Sequence, residues 1–422
     1  IADQPAIYLS YIQSNSLPGG ILMSGNTFGG TNALSGVRFE HMRDLIIGDT
    51  SVVGRNITFE DNCGLNNHAY NSSSNGYNLI HLVNVNNATI DNVDVSRPVG
   101  ATPAQDLTGI RIDNSSDYGP VTIKNCDARR HRSGIILSGG QNYTVNNNDL
   151  RGCGFNSEEP AFYINSISQL DASIPMGLTA SGNKFGSANS INMNCGIRLE
   201  NIGGIKITNI AGPGNHIVVT ASDSLYRALG TAGNFPSAIM LRNTSGIVID
   251  SLNLNFTATQ TGTGIYCHND AAGQYGNIFS NNLIKNRRLG IRINNGSDYT
   301  LTGNDFQTTG IADDEPAIRL EHVVEGNLSG GVSISGNKFG GTNALYGLKF
   351  VNMSNLKISD GTFGGTNVNL GLYGTNGLSE VAAGTGYVLH LSSVCNTEVN
   401  SLDLSRSGST RQGTGIRLSS GM

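Results

Sequence analysis

Gly109-Ile110-Arg111-Ile112, then a polar bend, then Val121-Thr122-Ile123: this stretch decides the fold. Apolar and polar residues alternate in both runs, which is the period-2 pattern of strands with one buried face. The first phrase returns as Gly36-Val37-Arg38-Phe39, Gly196-Ile197-Arg198-Leu199, Gly290-Ile291-Arg292-Ile293, Ala317-Ile318-Arg319-Leu320 and Gly415-Ile416-Arg417-Leu418. Its companion returns as Ile205-Lys206-Ile207, Ile247-Val248-Ile249 and Leu356-Lys357-Ile358, and a third run follows at Asn183-Lys184-Phe185 or Asn304-Asp305-Phe306. Three short strands per turn, recurring every 21 to 42 residues, describe an all-β chain: a right-handed parallel β-helix solenoid of about fourteen coils with three short strands per coil. At about 4.8 Å per coil the expected rod is on the order of 65 Å long. Ile110, Ile197, Ile291 and Ile318 should stack in one inward column, and Phe28, Phe185, Phe306 and Phe339 in another. Asn between the runs suits bends, because it tolerates left-handed backbone and its amide can bond nearby peptide groups. An antiparallel sandwich or propeller would need two-residue hairpin turns, which are sparse here.

A longer period overlies the coils. Pro5-Ala6-Ile7, Pro160-Ala161-Phe162 and Pro316-Ala317-Ile318 open copies of a unit about 155 residues long, and Ser24-Gly25-Asn26-Thr27-Phe28, Ser181-Gly182-Asn183-Lys184-Phe185 and Ser335-Gly336-Asn337-Lys338-Phe339 follow in phase. The copies are residues 1–157, 158–312 and a truncated 313–422, expected to form one continuous solenoid in which each repeat packs on its neighbours. Excursions at 56–78, 212–237 and 364–386 read as side loops in equivalent positions.

Composition narrows the function. Charged residues are 14% of the 422, Gly numbers 56 and Trp is absent, a turn-rich β composition. A net charge of −5 and a pI near 5.9 give no basis for nucleic-acid binding, which needs a basic face. No apolar run is long enough for a membrane span. Cys63, Cys126, Cys153, Cys195, Cys267 and Cys395 lie in different phases of the repeat without metal-type spacing, and read as small buried hydrophobes. A chain that starts at Ile1 and stops at Met422 partway through a copy reads as a window of a longer secreted, extracellular protein.

The Gly-Ile-Arg-Ile, Val-Thr-Ile and Ser-Gly-Asn-Lys-Phe phrases resemble the right-handed β-helix repeats of the pectate-lyase-like superfamily over the whole chain. That resemblance implies the fold; the superfamily contains lyases, hydrolases, epimerases, phage tailspikes and giant bacterial surface adhesins. The 155-residue unit looks most like the last of these, including surface filaments of gliding bacteria. The leading expectation is therefore a stiff cell-surface stalk for adhesion, in contact with surface or extracellular polysaccharide. The alternatives are a lyase or hydrolase acting on acidic polysaccharide, and a tailspike shaft. The hydrolase carboxylate set and the Asp-Pro-His signature of alginate epimerases are both missing, so no residue is assigned a catalytic role and no cofactor is expected beyond a candidate Ca²⁺.

Three features are candidates for contact chemistry. The outward position of the first strand reads Tyr8, Arg38, His81, Arg111, Ile136, Tyr163, Arg198, Met240, Tyr266, Arg292, Arg319, Lys349, His390, Arg417. This is a cationic and aromatic stripe in which Tyr8, Arg38, Arg111, Tyr163, Arg198, Tyr266, Arg292 and Arg319 could form a track for acidic glycan, Tyr stacking on sugar and Arg gripping carboxylate. The competing reading is a self-neutralised face, since Glu40, Asp113, Glu200 and Glu321 follow two residues behind Arg38, Arg111, Arg198 and Arg319. Arg129-Arg130-His131-Arg132, echoed by Arg287-Arg288, is a second polyanion candidate against a solvated bend. Asp313, Asp314 and Glu315 are the candidate Ca²⁺ ligands against a hydrated loop.

Overall fold

A computed structural model describes residues 5–11, 21–28, 35–48, 57–59, 77–97, 104–154, 160–167, 178–186, 195–203, 206–208, 218–220, 237–255, 262–270, 276–323, 332–340, 344–359, 368–369, 386–400, 402 and 414–420. The chain divides into two compact units, Ile1–Val218 and Val219–Met422. The division falls inside the second sequence copy, so compactness does not follow the 155-residue period. No helix occurs among the described residues.

Each unit is a parallel β-helix. In unit 1 the first face carries β1 (Pro5–Ser10), β2 (Ser35–Glu40), β3 (Tyr77–Val83), β4 (Ala104–Asn114), β5 (His131–Gly139), β6 (Phe162–Asn165) and β7 (Cys195–Gly203), paired in that order. In unit 2 it carries β8 (Ser237–Ser245), β9 (Thr263–His268), β10 (Leu289–Asn294), β11 (Ile318–Glu321), β12 (Tyr346–Val351), β13 (Tyr387–Ser392) and β14 (Thr414–Ser419). A second face runs alongside, from Ile21–Met23 to Lys206–Thr208 in unit 1 and from Val248–Asp250 to Glu398–Asn400 in unit 2. Every strand pair among the described residues is parallel, for example Val121–Lys124 with Tyr143–Asn146. Parallel neighbours joined by crossovers wind right-handed for reasons of strand twist. The third face is thinner than the expected third strand: Thr27–Phe28, Ile57–Phe59 and Val93–Asp94 form a small sheet, and beyond them it continues as single bridges such as Asp127↔Asp149 and Asp305↔Lys338.

The register stacks the predicted columns. Ile110 pairs with Ile135, Ile135 with Phe162 and Phe162 with Ile197; in unit 2 Ile265, Ile291, Ile318 and Leu348 follow one another. All are buried. Phe28, Phe185, Phe306 and Phe339 are buried too, and the last two rings stack at 5.3 Å. The Gly that opens these strands has a packing reason at Gly290: a Cβ there would sit 2.4 Å from the Ala317 carbonyl oxygen and 2.6 Å from the Phe306 ring. Cys126, Cys153 and Cys267 are buried free thiols, with burial pushing the first two up to about 12 and the third to about 11; Cys395 is exposed.

Asn does more than turn corners. Fourteen of the twenty-four non-Gly residues with positive φ are Asn, which confirms its role at bends. A separate set, fully buried, bonds along the axis. Asn304 donates from Nδ2 to Phe279 O at 2.8 Å and to Asn337 Oδ1 at 2.9 Å, and its own Oδ1 accepts from Asn282 N at 3.0 Å and Asn282 Nδ2 at 2.9 Å. Asn282 and Asn337 repeat the pattern one coil away in each direction, at Ile249 O and Leu301 O. In unit 1 Asn148 and Asn183 do the same.

The expected side loops contain strands. Ile57–Phe59 joins the third face of unit 1, Val218–Thr220 is a strand, and Val368–Asn369 inserts between Val332–Ser335 and Lys357–Ser359 on the second face. Most of the three excursions lies outside the described residues, as does Cys63.

Replacing Asn304 by Ala would remove the side-chain bonds to the Phe279 carbonyl and to the Asn282 backbone N–H, while Asn337 Oδ1 keeps the residue 304 backbone N–H at 2.9 Å. At roughly 1–3 kcal/mol for each unsatisfied buried group, a loss of about 2 kcal/mol or more is expected, read as a lower urea midpoint at constant m-value.

Candidate functional site

Strand register places the outward position of successive coils side by side. In unit 1 Tyr8, Arg38, His81, Arg111, Ile136, Tyr163 and Arg198 are consecutive Cα partners. In unit 2 the column is Met240, Tyr266, Arg292, Arg319, Lys349, His390 and Arg417. The stripe is not an open ribbon: Arg198, Met240, Tyr266, Lys349 and His390 are buried, while Tyr8 is 52% exposed.

The two columns differ in charge. Unit 1 closes its charges within the sheet. Arg38 pairs with Glu40, which also accepts from the Tyr8 hydroxyl at 2.7 Å. Asp113 takes Arg111 at 2.7 Å and His81 at 2.8 Å. Glu200 takes Arg198 at 2.8 Å and the Tyr163 hydroxyl at 2.9 Å, with Arg198 also 5.5 Å from the Tyr163 ring centroid. Burial pushes the Asp113 carboxyl up, but the bonds from His81 and Arg111 outweigh it and hold the group below its usual range. The Tyr163 ring and hydroxyl are engaged by Arg198 and Glu200, whereas the Tyr8 ring stays exposed.

Unit 2 concentrates cations. Glu321 serves both Arg292, at 2.7 Å, and Arg319, and Arg292 lies 5.7 Å from the Tyr266 ring centroid. Beyond them Lys349, His390 and Arg417 face one carboxylate, that of Asp313, delivered from outside the sheet by the tight turn Ala312 to Glu315, closed by Glu315 N to Ala312 O at 3.0 Å. Asp313 Oδ2 accepts from Lys349 Nζ at 3.0 Å and Oδ1 from Arg417 Nη1 at 2.9 Å. The Asp313 carbonyl accepts from Lys349 Nζ at 2.9 Å and the Tyr387 hydroxyl at 3.1 Å, and the Asp314 carbonyl accepts from Arg319 at 2.7 Å. Four cations of the column, Arg292, Arg319, Lys349 and Arg417, thus share two bonded carboxylates.

His390 is 2% exposed. Burial first, then the neighbouring Lys349 charge, pushes its pKa down to about 4, so it is a neutral imidazole at neutral pH. Nε2 lies 2.7 Å from Ser419 Oγ, which in turn lies 3.2 Å from Ser392 Oγ. The other ring nitrogen, Nδ1, is buried. It lies 3.5 Å from Asp313 Oδ1 and makes no hydrogen bond. Desolvation and the Asp313 charge keep the Tyr387 phenol protonated.

Two other candidates are corrected. The Arg129 to Arg132 segment is not a solvated bend and not an open polyanion site. Arg130 and His131 are buried, Arg130 donates to the Arg97 carbonyl of the preceding coil, and Arg129 pairs with Asp127. Arg287, at the matching point of unit 2, is also fully buried and donates to Leu254 O at 2.8 Å, while Arg288 pairs with Glu315. These guanidinium groups clasp one coil to the next. Asp313, Asp314 and Glu315 diverge: Asp313 turns to the column, Glu315 to Arg288, and Asp314 is exposed. They do not converge on a Ca²⁺ position, and no group of three or more His, Cys, Asp or Glu among the described residues could hold a metal.

No protein-family profile matches the chain, and no curated protein is similar to it in sequence. Several solved structures are similar at low identity. The A-modules of the Azotobacter vinelandii mannuronan C-5 epimerases AlgE6 and AlgE4 align over 98% of this chain and 91% of theirs, with TM-scores of 0.46 and 0.42 at 10% and 11% identity. A mannuronic acid specific polysaccharide family 6 lyase from human gut microbiota aligns over 94% of this chain and 91% of its own, with a TM-score of 0.33 at 9% identity. These names are of polysaccharide-modifying enzymes, and they count against the expectation of an adhesive surface stalk and for the polysaccharide alternative.

One pH dependence follows from the buried clasp in unit 1. Burial pushes His131 down to about 4, against about 6.5 in an unfolded chain. The unfolded state therefore takes up a proton first as pH falls. The stability present above the unfolded pKa is lost on acidification from about pH 6.5 to 4, by about 3 kcal/mol in all. Thermal midpoints measured across that window should fall, and His131→Gln, which keeps a donor for the Val95 carbonyl but does not titrate, should flatten the decline.

Proposed function

We propose that this chain recognises acidic, uronate-type polysaccharide on the outward face of unit 2. The observation that supports it is the cation column Arg292, Arg319, Lys349 and Arg417, whose ion pairs converge on Glu321 and Asp313. Unit 1 has the same strand register but a carboxylate or phenol-shared acid for each Arg, so its face has little to offer an anion. Polymer carboxylates repeat along a glycan as the column repeats along the coils, about 4.8 Å per strand, and guanidinium groups bind carboxylate through charge-assisted bonds. An extracellular polysaccharide places the chain outside the cell, and secretion is part of the same proposal.

Eliminative cleavage is the second reading, favoured by the neutral His390 beside Lys349 and Arg417. In that reaction a base takes the proton next to a neutralised carboxylate, the C–O bond to the departing sugar breaks, and a C=C bond forms in the residue left behind. His390 is the available base and Lys349 with Arg417 the neutralising cations. Hydrolysis fits less well. It needs one carboxyl with a raised pKa, whereas each described carboxylate with a resolved shift, including Glu40, Asp113, Asp149, Asp313 and Glu321, is lowered.

Retention on immobilised polyuronate tests the main reading. Arg292→Gln with Arg319→Gln should weaken binding at least tenfold, or about 1.4 kcal/mol, and binding should weaken further with salt. The same pair of changes at Arg111 and Arg198 should alter it less than twofold; unchanged retention after the unit 2 changes would refute the assignment. For cleavage, unsaturated uronate products should form and vanish with His390→Gln, while a blank assay on pectin, alginate and glycosaminoglycans would leave recognition as the whole activity.

A further inference from the structure

We propose that the space now filled by the Asp313 carboxylate is a subsite for the carboxylate of one uronic acid residue, and that the Ala312 to Glu315 turn is its removable internal occupant. The inference rests on the polysaccharide reading above and names the place where a sugar acid enters. Three successive coils build the subsite: Lys349 from β12, Tyr387 and His390 from β13, Arg417 from β14. The carboxylate that holds them together comes from none of these strands. It arrives on a turn ahead of β11 and reaches across the later coils, with Arg417 lying 104 residues further along the chain.

The fit of that occupant is incomplete, and the misfit identifies a better one. Lys349 and Arg417 are bonded by Asp313, but His390 Nδ1 stays 3.5 Å from Asp313 Oδ1 and makes no hydrogen bond. The imidazole is nearly fully buried, so the unfilled nitrogen has no water-exposed alternative, and such a group normally carries a partner. A uronic acid supplies both halves. Its carboxylate can take the place of Asp313 between Lys349 and Arg417, and a ring hydroxyl can hydrogen-bond to Nδ1. A neutral sugar lacks the first and a simple carboxylate such as Asp lacks the second. The Asp313 side chain is 42% exposed, so solvent and ligand reach it; an entering sugar acid has to replace the bonds that Lys349, Tyr387 and Arg417 make to Asp313.

Asp313→Asn keeps the shape of the side chain and removes its charge. Galacturonate binding, measured by calorimetry on the whole chain, should tighten at least tenfold relative to the parent, galactose should show no gain, and adding Lys349→Met should abolish the gain. Equal or weaker galacturonate binding by Asp313→Asn, with polyuronate still retained through Arg292 and Arg319, would overturn the subsite alone. If neither protein retains polyuronate, the functional reading fails and the subsite with it. A measurement on the unmodified chain needs no variant: displacement by polyuronate frees the turn from Lys349, Tyr387 and Arg417 and exposes its closing amide to solvent, so deuterium exchange at the Glu315 amide should accelerate. An unchanged or slower exchange counts against the proposal.

Discussion

Hydrogen bonds that run along the coil axis through buried asparagine amides are the constraint on which the rest of this structure depends. A parallel β-helix satisfies the backbone of its strands through the ladder, but at each bend the chain must turn with its peptide groups turned into the core. In unit 2 the side chains of Asn282, Asn304 and Asn337 fill that role, each amide bonding a carbonyl of the coil before it, and Asn282 and Asn304 also bonding the next Asn of the column. A carboxylate or an aliphatic side chain of the same size lacks either the donor or both partners. Because a buried polar group without a partner is costly, the ladder also penalises any slip of one coil against its neighbour, and so it sets the register of the outward face.

Once that register exists, electrostatics divides the outward face in two. A column of cations one strand spacing apart would repel itself, and partly buried charges are expensive unless paired. Unit 1 answers with an acid on the same strand, two residues along, where the strand period returns to the same face. Unit 2 has one such acid, Glu321, for two arginines, and beyond it the compensating charge comes from the Asp313 turn. A carboxylate lent from a turn can be exchanged for another carboxylate in a way that one built into the strand cannot. That difference, and not the presence of arginines, separates a solubilised sheet face from a site.

Much of this was legible in the residues. The alternation in Gly-Ile-Arg-Ile and Val-Thr-Ile led to the strands, the inward Ile and Phe columns and the ordered list of outward side chains, which within each unit are consecutive strand partners. The Arg and Glu spacing of two also showed that neutralisation was available. Three things were hidden. Arg130, His131 and Arg287 look like surface charge in the sequence but are buried against carbonyls of the preceding coil. Asp313 reads as part of an acidic loop, and nothing local signals that it faces Lys349, His390 and Arg417. Val368–Asn369 lies in what reads as a loop, yet it enters the second face.

The amino-acid sequence by itself determined the strand period, which side chains point inward, and the asparagines that could bond from coil to coil, because each of these depends on residues only a few positions apart. Tertiary structure alone decided which carboxylate meets which cation and which polar groups lose water. Asp313 and Arg417 are brought together by several intervening coils, each adding its own rise, and no local pattern encodes the sum of those steps. The candidate site therefore belongs to the winding of the chain, while the face it occupies belongs to the alphabet of its strands.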